Sequence, residues 1–201
     1  MSKQTQEAAV KPQKAPLSID PKYILRLVGT LTGICLVVSL LLGIVNQVTK
    51  PRIDAIQKAK MEAAMTQVLP ADEYVLWAGQ LSGGYVTSLY RAISGGEGIG
   101  YVAETATSGS QGIIEMMVGV DMEGKVTGVS VIKHSETPNI GTKVVNDQSV
   151  LDRFIGADWE NGFISNSSFD GVSGATYSSR GVIAGVNSAL AIVNALLDTL
   201  S

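Results

Sequence analysis

The stretch GIIEMMVGVDMEGKVTGVSVIK, residues 112–133, reads as two β-runs closed by a turn. Its halves, GIIEMMVGV and KVTGVSVIK, are rich in β-branched and other apolar residues, and D-M-E-G between them has the aspartate and glycine of a tight connection. The pattern also occurs just upstream. There GGYVTSLYRAI and IGYVAETAT flank the glycine-rich SGGEG, alternating β-branched and aromatic residues on both sides. Two hairpins in succession place an antiparallel sheet at the centre of the chain. The Met116-Met117 pair then falls inside a strand and reads as core.

Helical patterns surround the sheet. IDAIQKAKMEAAMTQVL, residues 53–69, has apolar positions near helical spacing, Pro51 stands where a first helical position tolerates it, and Pro70 ends the run. Past "HSETPNIGTK" a short helix is expected at SVLDRFIG. The polar loop NGFISNSSFDGVSGAT then leads to a last helix, where Val182, Val186, Leu190, Val193, Leu197 and Leu200 recur at three- and four-residue steps. The Asn166-Ser-Ser sequon within that loop reads as loop composition. No internal repeat is evident. The fold class is α+β: one N-terminal transmembrane helix, then a single domain with a central antiparallel sheet and flanking helices.

The membrane segment follows from charge. Residues 27–49, LVGTLTGICLVVSLLLGIVNQVT, contain no charged side chain. At about 1.5 Å per residue they reach roughly 35 Å, enough for a bilayer core. A cleaved signal would have a shorter apolar stretch and an A-x-A-like site, so an uncleaved anchor in the lipid bilayer is expected. The expected divisions are a polar tail at 1–22, a transmembrane helix at 23–49, a linker helix at 50–80 and the folded domain at 81–201. Lys11, Lys14, Lys22 and Arg26 before the span are matched by Lys50, Arg52, Lys58 and Lys60 after it, so positive charge gives no orientation.

Residues 50–201 carry ten basic and sixteen acidic side chains, a balance that speaks against nucleic acid as a partner. One cysteine, Cys35 within the span, and one histidine, His134, supply neither a zinc site nor an iron–sulfur or c-type haem attachment. His134, at a strand end, reads as a surface or hydrogen-bonded residue. GVSGA is one residue away from G-x-S-x-G, but no histidine follows Ser173, as the α/β-hydrolase order requires. A subtilisin-like order of Asp121, His134 and Ser173 has only residue identity behind it.

The segment before the last helix, DGVSGATYSSRG at residues 170–181, admits two readings on physical grounds. It is either a serine-capped helix with a small-residue approach loop, or a cradle in which Gly171 and Gly174 let backbone N–H groups reach a phosphate. A helix terminus gives an exposed anion only about 0.3–1 kcal/mol. With Arg180 the one nearby cation and no Walker lysine or G-x-G-x-x-G, a nucleotide held here non-covalently would be held poorly. A bond from a hydroxyl to the phosphate would remove that weakness.

D-G-V-S-G-A-T, residues 170–176, resembles the flavinylation motif D-x-x-[ST]-G-A-T of the FMN-binding domain family. That family includes the G subunit of the Rnf ion-translocating ferredoxin:NAD oxidoreductase complex and the C subunit of the sodium-translocating NADH:quinone oxidoreductase. "HSETPNIGTK" resembles a second family segment, E-T-P-G-x-G. Glu136, Thr137, Pro138 and Gly141 match it, and Asn139 replaces a glycine, a swap that asparagine's tolerance of left-handed angles accommodates. The layout of short tail, single span and motif before a C-terminal helix is similar as well, and the short chain is closer to the Rnf subunit.

The resemblance implies covalent FMN as the cofactor, attached by a phosphoester bond to Thr176 by a separate flavin transferase that draws on FAD. Asp170, Ser173, Gly174 and Ala175 would complete the attachment site. The loop from Glu136 would lie near the flavin, with Thr137, Ile140 and Gly141 as contacts and Lys143 as a polar partner. No metal is implied. The partners implied are the other membrane and redox subunits of such a complex, with coupling to Na⁺ or H⁺ movement, the N-terminus cytoplasmic and the flavin domain outside. The quinone-reductase subunit is the alternative within redox proteins, and a membrane-anchored non-redox binding or assembly module is the alternative from another class.

Overall fold

A computed structural model of the chain describes residues 21–79, 84–158 and 174–200. The chain divides into two compact units, Met1–Ile53 and Asp54–Ser201. Helix α1, Pro21–Val68, supplies the described part of the first unit and the opening of the second. Its most apolar window has a mean hydropathy of 2.4 and no buried residue. Large apolar side chains along it, Leu31, Leu36, Leu40 and Val45 among them, are exposed on the protein itself. That is the surface a lipid-facing helix presents. Pro51 lies inside this helix and not at its first position, so one backbone N–H is missing there.

The second unit is built on a five-stranded antiparallel meander in the order β1-β2-β3-β4-β5. The strands are β1 Glu73–Leu76, β2 Val86–Ser94, β3 Glu97–Ser108, β4 Ile113–Asp121 and β5 Val126–Lys133. Both expected hairpins are present. Gly95 and Gly96, at φ 59° and 86°, make the β2–β3 turn, which needs two left-handed residues in succession. Asp72 locks that turn by accepting from Ser94 Oγ at 3.1 Å and Gly95 N at 2.9 Å. In the β4–β5 turn Asp121 Oδ1 accepts from the N–H of Lys125 at 2.8 Å and of Glu123 at 3.1 Å.

The sheet buries both faces. On one, Tyr101, Ala103, Ile114, Met116, Val118 and Val129 meet Val182, Val186, Leu190 and Val193 of helix α4, Thr176–Leu200. Each buried valine or leucine contributes about 1.5–3 kcal/mol on that face. On the other, Ala92, Val102 and Met117 meet Ala64, Met65, Val68 and Leu69 at the end of α1. Met116 and Met117 are both fully buried, one on each face. The end of α1 therefore belongs to the folded unit, and the boundary between compact units falls at 53/54. Helix α4 is long and apolar enough to span a membrane, yet it packs across β3 and β4 as the core helix.

Between β5 and α4 the chain forms α2, Thr142–Val145, α3, Gln148–Leu151, and a 3-10 turn, Asp152–Phe154. The expected single helix at SVLDRFIG is thus a short α-helix that tightens into a 3-10 turn. This segment covers the β5 edge: Val126 N donates to Ala157 O at 2.9 Å, Gly156 N donates to Val126 O at 2.8 Å, and Gln148 Nε2 donates to Val129 O at 3.3 Å.

Candidate functional site

Three segments distant in sequence converge at the start of α4. Glu136 is their meeting point, only 5% exposed. Its Oε1 accepts from the backbone N–H of Ser110 at 2.8 Å and of Gln111 at 3.2 Å. Its Oε2 accepts from Ser178 Oγ in the first turn of α4. A Cβ on Gly109 would sit 2.1 Å from Oε1, and one on Gly141 would sit 2.3 Å from Oε2. Both positions are glycine because the carboxylate occupies the space a side chain would take. Glu136, expected to face a cofactor, gives both oxygens to the protein.

Around it the E-T-P-N-I-G segment folds into a compact turn. Thr137 O accepts from the N–H of Ile140 at 3.2 Å and of Thr142 at 3.4 Å, and Asn139 N donates to Thr142 Oγ1 at 2.8 Å. Asn139 adopts φ 63°, a left-handed conformation that asparagine tolerates better than most residues. Gly141 is buried and its N-terminal neighbour Ile140 is 51% exposed. Thr137 is half-buried and Lys143 is exposed. His134 is hydrogen-bonded, as expected: its Nδ1 accepts from Glu136 N at 3.3 Å, which leaves Nε2 as the donor to Asn146 Oδ1 at 2.9 Å.

At the helix start, Ala175 is buried and its carbonyl accepts the first intrahelical bond, from Ser179 N at 2.9 Å. Thr176 is therefore the first helical residue, and it is exposed. Gly174, two residues before, takes φ 85°, and a side chain there would meet nothing within 4 Å among the described residues. Tyr177 is 69% exposed. Asp170 and Ser173 lie outside the described residues, as does the sequon at Asn166. Among the described residues, an exposed hydroxyl thus stands in the first turn of a helix, where backbone N–H groups lack intrahelical acceptors and an anion is favoured.

The two motif segments are joined through the Glu136–Ser178 bond and the close approach of Gly141 to Ser178, where a Cβ would lie 2.7 Å from the serine oxygen. The sequence offers little notice of the third participant, the turn at residues 109–111. Its one signal is the glycine pair of S-G-S-Q-G, which also reads as an ordinary loop.

The family model described as FMN-binding domain matches residues 109–191, which include both segments. The ion-translocating oxidoreductase complex of Haemophilus influenzae strain Rd has a G subunit 32% identical to this chain over 202 residues, covering 87% of this chain and 92% of that protein. Its namesake from Methanosarcina acetivorans is 29% identical, covering 88% and 97%. The G subunit of the Na⁺-translocating ferredoxin:NAD⁺ oxidoreductase complex of Acetobacterium woodii is 27% identical, covering 89% and 96%. The crystal structure of Shewanella oneidensis NqrC aligns with a TM-score of 0.46 at 19% identity, over 68% of this chain and 73% of that one.

Proposed function

Because this chain belongs to the family of G subunits of ion-translocating oxidoreductase complexes, we propose that it is the membrane-anchored flavin carrier of such a complex, with FMN in phosphoester linkage to Thr176. The observation that carries this reading is the exposed Thr176 at the first position of α4, within G-A-T and braced against the E-T-P-N-I-G segment through Ser178. When bound, FMN supplies one- and two-electron redox chemistry that no side chain of this chain offers.

The chain's own residues anchor and orient. Helix α1 holds the domain at the bilayer through residues 23–49. Thr176 fixes the phosphate end, with Gly174 and Ala175 keeping its approach clear and Asp170 and Ser173 completing the motif. Thr137 and Ile140 border the flavin, Gly141 makes room behind them for the Glu136 carboxylate, and Lys143 provides a cation toward the flavin's polar groups. Electrons pass between the flavin and other subunits of a ferredoxin:NAD oxidoreductase, coupled to Na⁺ or H⁺ movement. The N-terminus is cytoplasmic and the flavin domain lies outside, where a tethered cofactor is not lost by diffusion.

The test is co-expression of the full chain with a flavin transferase, followed by denaturing electrophoresis under ultraviolet light. A fluorescent band that disappears in Thr176→Val, together with an FMN mass increment on the Thr176 peptide, supports the reading. An unmodified peptide overturns it.

A further inference from the structure

Two neighbouring serines in the first turn of α4 are both shielded from solvent and are treated differently. Ser178 Oγ donates to Glu136 Oε2, whereas Ser179 Oγ has no hydrogen-bond partner among the described residues. Glu136 is in turn pinned from its other oxygen by the N–H groups of Ser110 and Gln111. One carboxylate thus ties the helix start to a turn of the sheet. An α-helix advances about 100° per residue, so Ser178 and Thr176 point about 200° apart. Holding Ser178 inward holds Thr176 outward, and a shift in the helix phase would carry Thr176 toward the core.

We propose that Glu136 is a positioning residue for flavin attachment: acting through Ser178, it fixes the first turn of α4 and so presents the Thr176 hydroxyl to the transferase. The proposal rests on the reading of Thr176 as the acceptor. In the transfer, Thr176 Oγ1 bonds to the FMN-side phosphorus of FAD and the bond from that phosphorus to the bridging oxygen breaks. AMP leaves with that oxygen, the threonine proton passes to a base outside this chain, and no electrons change hands. Glu136 touches none of the reacting atoms. Its effect is entirely on where the hydroxyl stands, and small displacements of a reacting group are costly in rate.

The experiment follows FMN incorporation with time on the full-length chain in detergent, with purified flavin transferase and FAD. Flavin per polypeptide is read by intact mass, and folded protein by the thermal midpoint. Ser178→Ala is expected to slow incorporation about tenfold or more per folded molecule, from misplacement of the acceptor. Ser179→Ala, which removes an equally buried hydroxyl from the same turn, is expected to keep the wild-type rate. Glu136→Gln preserves length and can still bond Ser178, so it recovers part of the rate that Glu136→Ala loses. Wild-type incorporation in Ser178→Ala overturns the proposal, as does equal slowing in Ser179→Ala, which would mean general loosening. If Ser178→Ala does not accumulate folded, Glu136→Asp decides. One methylene shorter, it cannot span both partners; slow incorporation supports the role, and the wild-type rate overturns it. A wild-type chain that never acquires flavin at Thr176 overturns the acceptor reading itself.

Discussion

Thr127 of β5 donates its hydroxyl to the Val68 carbonyl at 2.6 Å, closing the end of α1 onto the sheet. The helix comes this near because Gly119 and Gly128, directly paired across β4 and β5, leave an opening without side chains. A Cβ on Gly119 would stand 2.4 Å from Thr127 Oγ1 and 2.7 Å from Val68 O. Gly119→Ala is therefore expected to lower unfolding free energy by about 1–3 kcal/mol through overpacking. Thr127→Val, which removes only the donor, is expected to cost about 1 kcal/mol. Chemical denaturation of both variants checks the order, and wild-type stability in Gly119→Ala would mean that the contact yields freely.

Asp72 gives the domain a defined acid response. The Gly95 N–H and then the Ser94 hydroxyl hold its carboxyl below the ordinary 3.8. A carboxyl lowered by folding contributes stability that is fully present above its unfolded value and lost as pH falls through the folded value. Asp147 acts in the same sense, held below 3.8 chiefly by the Ser149 hydroxyl and N–H at the start of α3. Thermal midpoints measured downward from pH 5 are thus expected to fall less steeply in Asp72→Asn than in wild type. The gap between the two curves is full above 3.8 and closes below it.

Asn139 is the next place where one residue decides local geometry. Its φ of 63° is costly for a β-branched side chain, and the left-handed region disfavours ordinary L-residues by about 1–2 kcal/mol. Asn139→Gly is expected to be tolerated with little change in thermal midpoint, whereas Asn139→Val is expected to lower it measurably. A Val variant as stable as wild type would show that the turn can rearrange without loss.

The sheet is readable from sequence because its hairpins announce themselves. Gly95-Gly96 and Asp121 with Gly124 mark the turns, and the runs between them are long enough to alternate. The short strand at Glu73–Leu76 is not readable: four residues carry no period, and two of its three apolar side chains, Val75 and Leu76, remain exposed. The docking of α1 is hidden for a related reason, since the paired glycines that admit it lie in separate strands. At the candidate site, the start of the last helix near Thr176 and the Asn139 conformation are legible from pattern and residue type. The burial of Glu136 is not, because its partners are backbone N–H groups and a serine 42 residues away, which no local pattern encodes.

Helix α4 crosses β3 through two glycines that face different neighbours, and this difference gives a last expectation. A Cβ on Gly181 would meet the Ser108 backbone oxygen at 2.7 Å, whereas one on Gly185 would meet the Met116 terminal methyl at 2.8 Å and Thr105 Oγ1 at 2.9 Å. Each Gly→Ala change gains about 1 kcal/mol of helix propensity. At Gly185 the methionine tip can swing aside and the Thr105 hydroxyl needs to yield only a few tenths of an ångström, so the crowding is expected to offset much of the gain. At Gly181 the obstacle is backbone at the end of β3, and the helix must lift by several tenths of an ångström within two turns of Thr176. Gly181→Ala is therefore expected to be the less stable variant by about 1–3 kcal/mol, as compared by urea unfolding of the two proteins side by side. The reverse order would mean that α4 is free to slide at its N-terminal end, and that its start is held by something other than contact with β3.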